Sequence, residues 1–223
     1  MSDTVTSRPA TSWTAADLVQ RFGPIPLVRV RLDPAPGTAT EDDVVRLHVE
    51  EKRLYELIDG TLVEKTVGFY EAYLATVLAT MLKRHIDPRG LGIVVGADGM
   101  LQIAPKLVRI PDVAFFAWPS LPGGKIPREP VPQIVPDLAV EIISRGNTKE
   151  EMNRKLRDYF AAGCQQVWYV YPQQREVHVF SSPEQQTILM EPQTLHADKV
   201  LPDLTISLRE LFAIPEGEPR SET

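Results

Sequence analysis

Residues 136–144 read PDLAVEIIS, and the fold class turns on that stretch. From Leu138 to Ile143 the run is almost continuously apolar, as in a central strand covered on both faces. Alternation places Leu138, Val140 and Ile142 on one face and Ala139, Glu141 and Ile143 on the other. Glu141 breaks the pattern. A buried carboxylate without a partner is expensive, so at this position it requires a cation. A functional site accounts for it better than the exposed face of an edge strand or a structural salt bridge.

Upstream, RIPDVAFF (109–116) predicts a second strand, Ile110–Phe116. Pro111 has no amide hydrogen to give to a ladder and fits a strand's first residue or an edge, which puts Asp112 at the strand's beginning. Taken alone, Asp112 reads as a turn or capping aspartate beside proline. Downstream, Thr148 and Glu151 have capping-box spacing, so a helix starts there and ends near Gly163. Met152, Leu156, Tyr159 and Phe160 form its apolar stripe. Lys155, three residues from Met152 and four from Tyr159, stands at the edge of that inward face. The alternative is a lysine snorkelling along the core border.

Farther out, LYELI and TLVEK are joined by Asp59-Gly60, a strong signal for a two-residue hairpin turn. In that register Leu57 faces Leu62, and Glu56 lies opposite Val63 on the other face. A helix over 69–86 carries Leu74, Val77, Leu78, Met81 and Leu82 on one stripe. Glu71 falls on the same stripe, where a helix-start acid favoured by the macrodipole is the alternative. Strands at Gly92–Val95 and Met100–Ile103, a Pro/Gly-rich loop over 119–136 and a strand pair Val167–Tyr171 and Glu176–Ser181 follow. A last short strand and the helix Ser207–Phe212 complete a mixed α/β sheet flanked by helices. Residues 1–46 read as a tail, a short helix (TAADLVQRF, capped by Ser12 or Thr14) and an extended arm around Leu27–Leu32, then a loop with an acidic patch at 41–43. Residues 47–214 read as the domain and 215–223 as a disordered tail.

The 223 residues are 43% hydrophobic and 24% charged, with a formal net charge of −6, which excludes disorder, collagen and coiled coil as whole-chain answers. The acidity argues against a protein that coats nucleic acid electrostatically, but not against an enzyme that gathers carboxylates around a metal. No apolar run approaches a membrane span, and MSDTVTSRPATSW lacks the pattern of a signal peptide. The single cysteine, Cys164, fits a reducing cytoplasm and reads as a packing residue.

Pro111-Asp112, then Glu141, then a lysine on the next helix resemble the PD-(D/E)xK nuclease constellation. The wider sequence resembles the Uma-type restriction endonuclease family. The matching segments, in order, are YELIDGTLVEK (55–65), RIPDVAFF (109–116), PDLAVEIIS (136–144), NTKEEMNRKLRDYFAAGCQQVWYVYP (147–172) and VLPDLTISLRELF (200–212). The resemblance implies a restriction-endonuclease-like fold and a metal-dependent endonuclease acting on DNA. It implies Mg²⁺ or Mn²⁺ held by Asp112, Glu141 and the carbonyl of Ile142, with Lys155 orienting or helping deprotonate the attacking water. Glu71 and Glu56 would extend the acidic cluster. The usual lysine position, two residues after the second acid, is Ile143 here, so the resemblance implies a lysine relocated to the helix. Many relatives carry a histidine where this chain has Glu71, and the strand ending that often reads Asp-Pro is Tyr171-Pro172 here.

Lys149, Arg154, Arg157, Lys106, Arg109, Lys125 and Arg128 are candidate phosphate contacts, each also explicable as a solvating charge. A homodimer suits cleavage of both strands, and the proline-rich segment 24–36 is a candidate contact. The main competing reading is a non-catalytic binding or scaffold protein that keeps the nuclease fold. A glycosidase is disfavoured by the 7% aromatic content. Ser/His/Asp catalysis finds no nucleophile-elbow motif.

Overall fold

Asp59 and Gly60 both adopt positive φ, 50° and 73°, as a tight two-residue hairpin turn requires. The computed structural model describes residues 13–214 except Val67 and Asp198; the expected tails at 1–12 and 215–223 lie outside the described residues. In chain order the elements are α1 (Ala15–Phe22), α2 (Glu41–Glu51), β1 (Tyr55–Ile58), β2 (Thr61–Glu64), α3 (Phe69–Ile86) and β3 (Gly92–Val95). They continue with β4 (Leu101–Ala104), β5 (Leu107–Arg109), β6 (Val113–Ala117), β7 (Leu138–Ile142), α4 (Lys149–Ala162) and β8 (Gln166–Tyr171). The chain closes with β9 (Glu176–Ser182), β10 (Gln185–Met190), β11 (Thr194–Ala197), β12 (Leu201–Ser207) and α5 (Leu208–Leu211).

Three sheets result among the described residues: β2-β1-β5-β4, β10-β9-β8-β7-β6-β3 and the ribbon β11-β12. The hairpin has the expected register, Leu57 opposite Leu62 and Glu56 opposite Val63. In the six-stranded sheet β7 runs parallel to β8, joined through α4, and antiparallel to β6. Leu138, Val140 and Ile142 pack with Leu74, Leu78 and Leu82 of α3 and with Leu208 and Leu211 of α5. Ala139 on the opposite face packs with Met152, Leu156 and Tyr159 of α4. Glu141 shares that face, so the alternation assigned from sequence directs it under α4.

Three expectations change. Ile110–Phe116 is not one strand: β5 ends at Arg109 in the smaller sheet and β6 begins at Val113 in the larger. The break falls at Pro111, which cannot donate to a ladder. Residues 41–46, expected as loop, open the helix α2 (Glu41–Glu51). The Thr40 side chain and Asp43 make a reciprocal capping box, and Glu41, Asp42 and Asp43 occupy the first turn, where the helix dipole favours acids. Val44 and Leu47 then bury against Leu57 and Leu62. The arm is less extended than expected, with Leu27–Arg29 a single 3-10 turn and Val30 bridging Val63. Leu18, Phe22 and Val30 pack on Ile58 and Val63, which seats α1 on the hairpin.

The hairpin turn also receives the arm: Gly37 N and Ala39 N donate to Gly60 O at 2.8 and 2.9 Å. A Cβ on Gly60 would lie 2.5 Å from Gly37 O, whereas one on Gly90, also at positive φ, would meet nothing within 4 Å. Both alanine variants carry the left-handed strain, worth about 1 kcal/mol, but only Gly60→Ala displaces backbone. Urea unfolding should therefore show a clearly larger loss for Gly60→Ala than for Gly90→Ala; equal losses would contradict the docking of the arm on the turn.

Candidate active site

The chain crosses from one sheet to the other at Ile110–Asp112, and the register on each side sets the site. Across β1 and β5, Leu57 pairs with Val108, so the next position brings Glu56 opposite Arg109. Across β6 and β7, Val113 pairs with Val140, so the next position brings Asp112 opposite Glu141. Asp112 N donates to Val140 O at 2.9 Å, and Asp112 Oδ2 accepts from Ile142 N at 2.7 Å. The aspartate is thereby fixed by the strand that carries the glutamate.

Lys155, on the inward edge of α4, reaches between the sheets. Its Nζ lies 3.0 Å from Glu141 Oε2 and 3.0 Å from Glu56 Oε1. Glu141 Oε1 accepts from the Tyr159 hydroxyl at 2.7 Å. Lys65 Nζ pairs with Asp112 Oδ1 at 2.9 Å and donates to Ile110 O at 2.8 Å and Ala97 O at 3.0 Å. Arg109, fully buried, is shared by Glu56 at 2.7 Å and Asp158. Arg29 grips Glu151 with two bonds of 3.0 and 2.7 Å. Asp112, Glu141, Ile142 and Lys155, four residues singled out from sequence, line one cavity with Lys65, Arg29 and Glu151. Its volume is about 10 Å³, room for a single water-sized sphere.

Electrostatics separates the two glutamates. Burial pushes the Glu141 carboxyl up, the charges of Asp112 and Glu56 add to that, and Lys155 only partly offsets them, leaving a pKa of about 7. Burial also acts on Glu56, but Lys155 and Arg109 outweigh it and hold that carboxyl down at about 2. Desolvation disfavours the Lys155 ammonium, yet Glu141 and Glu56 together overcome it, so its pKa is raised and it stays protonated at neutral pH.

Glu71 is not brought to this cluster. It does not line the cavity, and its carboxylate lies where a Cβ on Gly68 would stand, back over the start of its own helix. Arg109 is unavailable for the phosphate role expected of it, being buried between two carboxylates. Arg154 stacks its guanidinium on Phe22 at 5.1 Å and bonds Arg21 O, tying α4 to α1. Lys106, Lys125, Lys149, Arg128 and Arg157 are exposed. Burial pushes the Cys164 thiol up to about 12, in keeping with a packing residue. Lys65, Arg29 and Glu151 were not anticipated as site residues. Lys65 closes an alternating strand as one more charge, and Glu151 was explained by its capping role.

The residues suit a hard divalent cation. Asp112 and Glu141 offer carboxylate oxygens from adjacent strands, the cavity has the size of one ion or water, and both carboxylates are held by ammonium groups that a metal's charge can replace. Among the described residues no third acidic, histidine or cysteine side chain joins them at metal-binding spacing. That is no obstacle for Mg²⁺, which takes one or two carboxylates and completes its shell with water.

The mixed sheets flanked by helices form a restriction-endonuclease-like fold. The chain belongs to the Uma2 family, whose model, described as "Putative restriction endonuclease", matches residues 41–209. Among solved structures it is similar to a "putative nuclease belonging to DUF820" from Anabaena variabilis. That likeness has a TM-score of 0.65 and 18% identity, covering 72% of this chain and 90% of the other. No curated protein gives a significant match. No helix among the described residues is long and apolar enough to cross a membrane.

The two glutamates give opposite pH signatures. The folded chain holds the Glu141 proton more tightly than an unfolded carboxyl near 4.5, so its contribution to stability is full below about 4.5 and lost as pH rises through about 7. Glu56 contributes above about 4.5 and loses that contribution as pH falls through about 2. Chemical denaturation from pH 4.5 to 7 should show a decline in wild type that Glu141→Gln flattens. Parallel pH profiles for the two proteins would contradict the assignment.

Proposed function

We propose that the chain is a divalent-metal-dependent endonuclease that hydrolyses phosphodiester bonds of DNA. The observation that carries this reading is the convergence of Asp112, Glu141 and Lys155 on one ion-sized cavity. Asp112, Glu141 and the carbonyl of Ile142 would hold Mg²⁺ or Mn²⁺, which supplies Lewis-acid polarisation of the phosphate and lowers the pKa of bound water. Lys155, whose pKa Glu141 and Glu56 raise against the effect of burial, acts as a positive charge and hydrogen-bond donor toward the attacking water. It orients the nucleophile and offsets charge growing on the phosphoryl oxygens. Tyr159 holds one oxygen of Glu141, and the other faces Lys155 and the cavity. Glu56 takes no part at the phosphate; it holds Lys155 from the opposite side.

Leu27, Val28 and Leu32 are exposed on the N-terminal arm, which supports its use as a contact in a homodimer cutting both strands of a duplex. A second reading, a nuclease-fold binding protein without catalysis, is favoured by one observation: Lys65 and Lys155 already neutralise both carboxylates. Calorimetric titration with Mg²⁺ or Mn²⁺ separates the two readings. Binding that disappears in Asp112→Asn supports the nuclease, and silence at millimolar metal supports the binding protein.

On plasmid DNA with Mg²⁺ or Mn²⁺, Asp112→Asn, Glu141→Gln and Lys155→Met should each cut about 100-fold more slowly than wild type or worse. Circular dichroism establishes that each variant is folded. Three folded variants with wild-type rates would overturn the assignment.

A further inference from the structure

A larger cavity, of about 520 Å³, lies beside the candidate active site along α4. That size falls in the range of small-molecule sites. Its wall is aromatic. Tyr169 and Phe180 meet edge to face with centroids 5.1 Å apart, and Tyr171 lies 4.3 Å from the His178 ring at a tilt of 42°. These rings share the sheet face of Glu141, because Glu141 pairs with Tyr169 and Tyr169 with His178 in one row across β7, β8 and β9. His178 thus stands about 10 Å, two strand spacings, from the catalytic glutamate's position.

Asn147 lines both cavities and joins them. The Tyr169 hydroxyl is spent on Met152 O at 2.6 Å, so that ring offers the cavity carbon and π surface only. At the rim, Asn153 and Gln186 present amide groups, Lys149 an ammonium and Glu184 a carboxylate, all exposed. Aromatic walls, amide groups able both to donate and to accept, and a cation at the mouth match a nucleotide: a base to stack, base edges to bond and a phosphate to neutralise.

We propose that this cavity is a subsite for an unpaired nucleobase of the DNA strand whose phosphate lies at Asp112 and Glu141. The inference rests on the nuclease reading for its substrate class. It makes single-stranded, frayed or mismatched DNA the preferred substrate, since a base stacked in an intact duplex must be extruded at a cost before it can enter.

The test uses a short single-stranded DNA carrying 2-aminopurine, whose fluorescence falls when the base stacks, with the full chain and chelator present so that nothing is cut. Wild type should quench the probe, and an intact duplex of the same sequence should compete poorly. Tyr171→Ala should weaken binding about tenfold, while Tyr171→Phe, which keeps the ring, should bind as wild type. No quenching, or equal binding by Tyr171→Ala, overturns the subsite even if the protein cleaves DNA with metal. Quenching that depends on Tyr171 in a protein that never cleaves DNA retains the subsite and removes the catalytic reading instead.

Discussion

The ammonium of Lys155 sits between Glu56 on the four-stranded sheet and Glu141 on the six-stranded one, 3.0 Å from each, and the rest of the site is built around that bridge. All three groups are buried. Ion pairs taken out of water gain little net stability, because the desolvation of each charge consumes the attraction. Removing one partner, however, strands the other and costs about 3–5 kcal/mol. Such a cluster is a poor way to strengthen a core and a good way to hold charges at fixed separations, which favours a role in chemistry over one in stability.

The same constraint explains why two sheets meet where they do. Pro111 ends one ladder, and the next residue, Asp112, opens another directly opposite Glu141. Arg109 and Asp112 therefore leave a single short stretch in different directions: Arg109 secures Glu56 beneath Lys155, and Asp112 faces the cavity beside it. Lys65 closes the circuit from the far end of the hairpin, binding Asp112 and the carbonyl of Ile110 at the crossing itself. The aromatic row on β8 and β9 extends the same sheet face away from Glu141, so one surface carries the acid–lysine cluster at one end and aromatic rings at the other.

Much of this was legible in the sequence. Alternation in PDLAVEIIS put Glu141 on the face covered by α4, and the spacing of Lys155 from Met152 and Tyr159 put it on the inward edge of that helix. Both inferences needed only local periodicity. Lys65 and Arg29 escaped notice because each is an ordinary charge in its own segment, and only long-range packing gives it a carboxylate to meet. Glu71 shows the reverse: its place on the stripe of α3 suggested burial, but at the first turn of the helix the side chain folds back toward Gly68. The α2 helix was hidden by its acidic start, which reads as loop until Thr40 is recognised as its cap.

The claim on which the account depends is that Asp112 and Glu141 form one cation site. Anomalous scattering from crystals of the protein soaked in Mn²⁺ tests it most directly. The expected result is a peak between the two carboxylates, within coordination distance of both, with Lys65 or Lys155 drawn back from its present partner. A peak at some other cluster, or none at saturating Mn²⁺ with both lysine pairs intact, would contradict it.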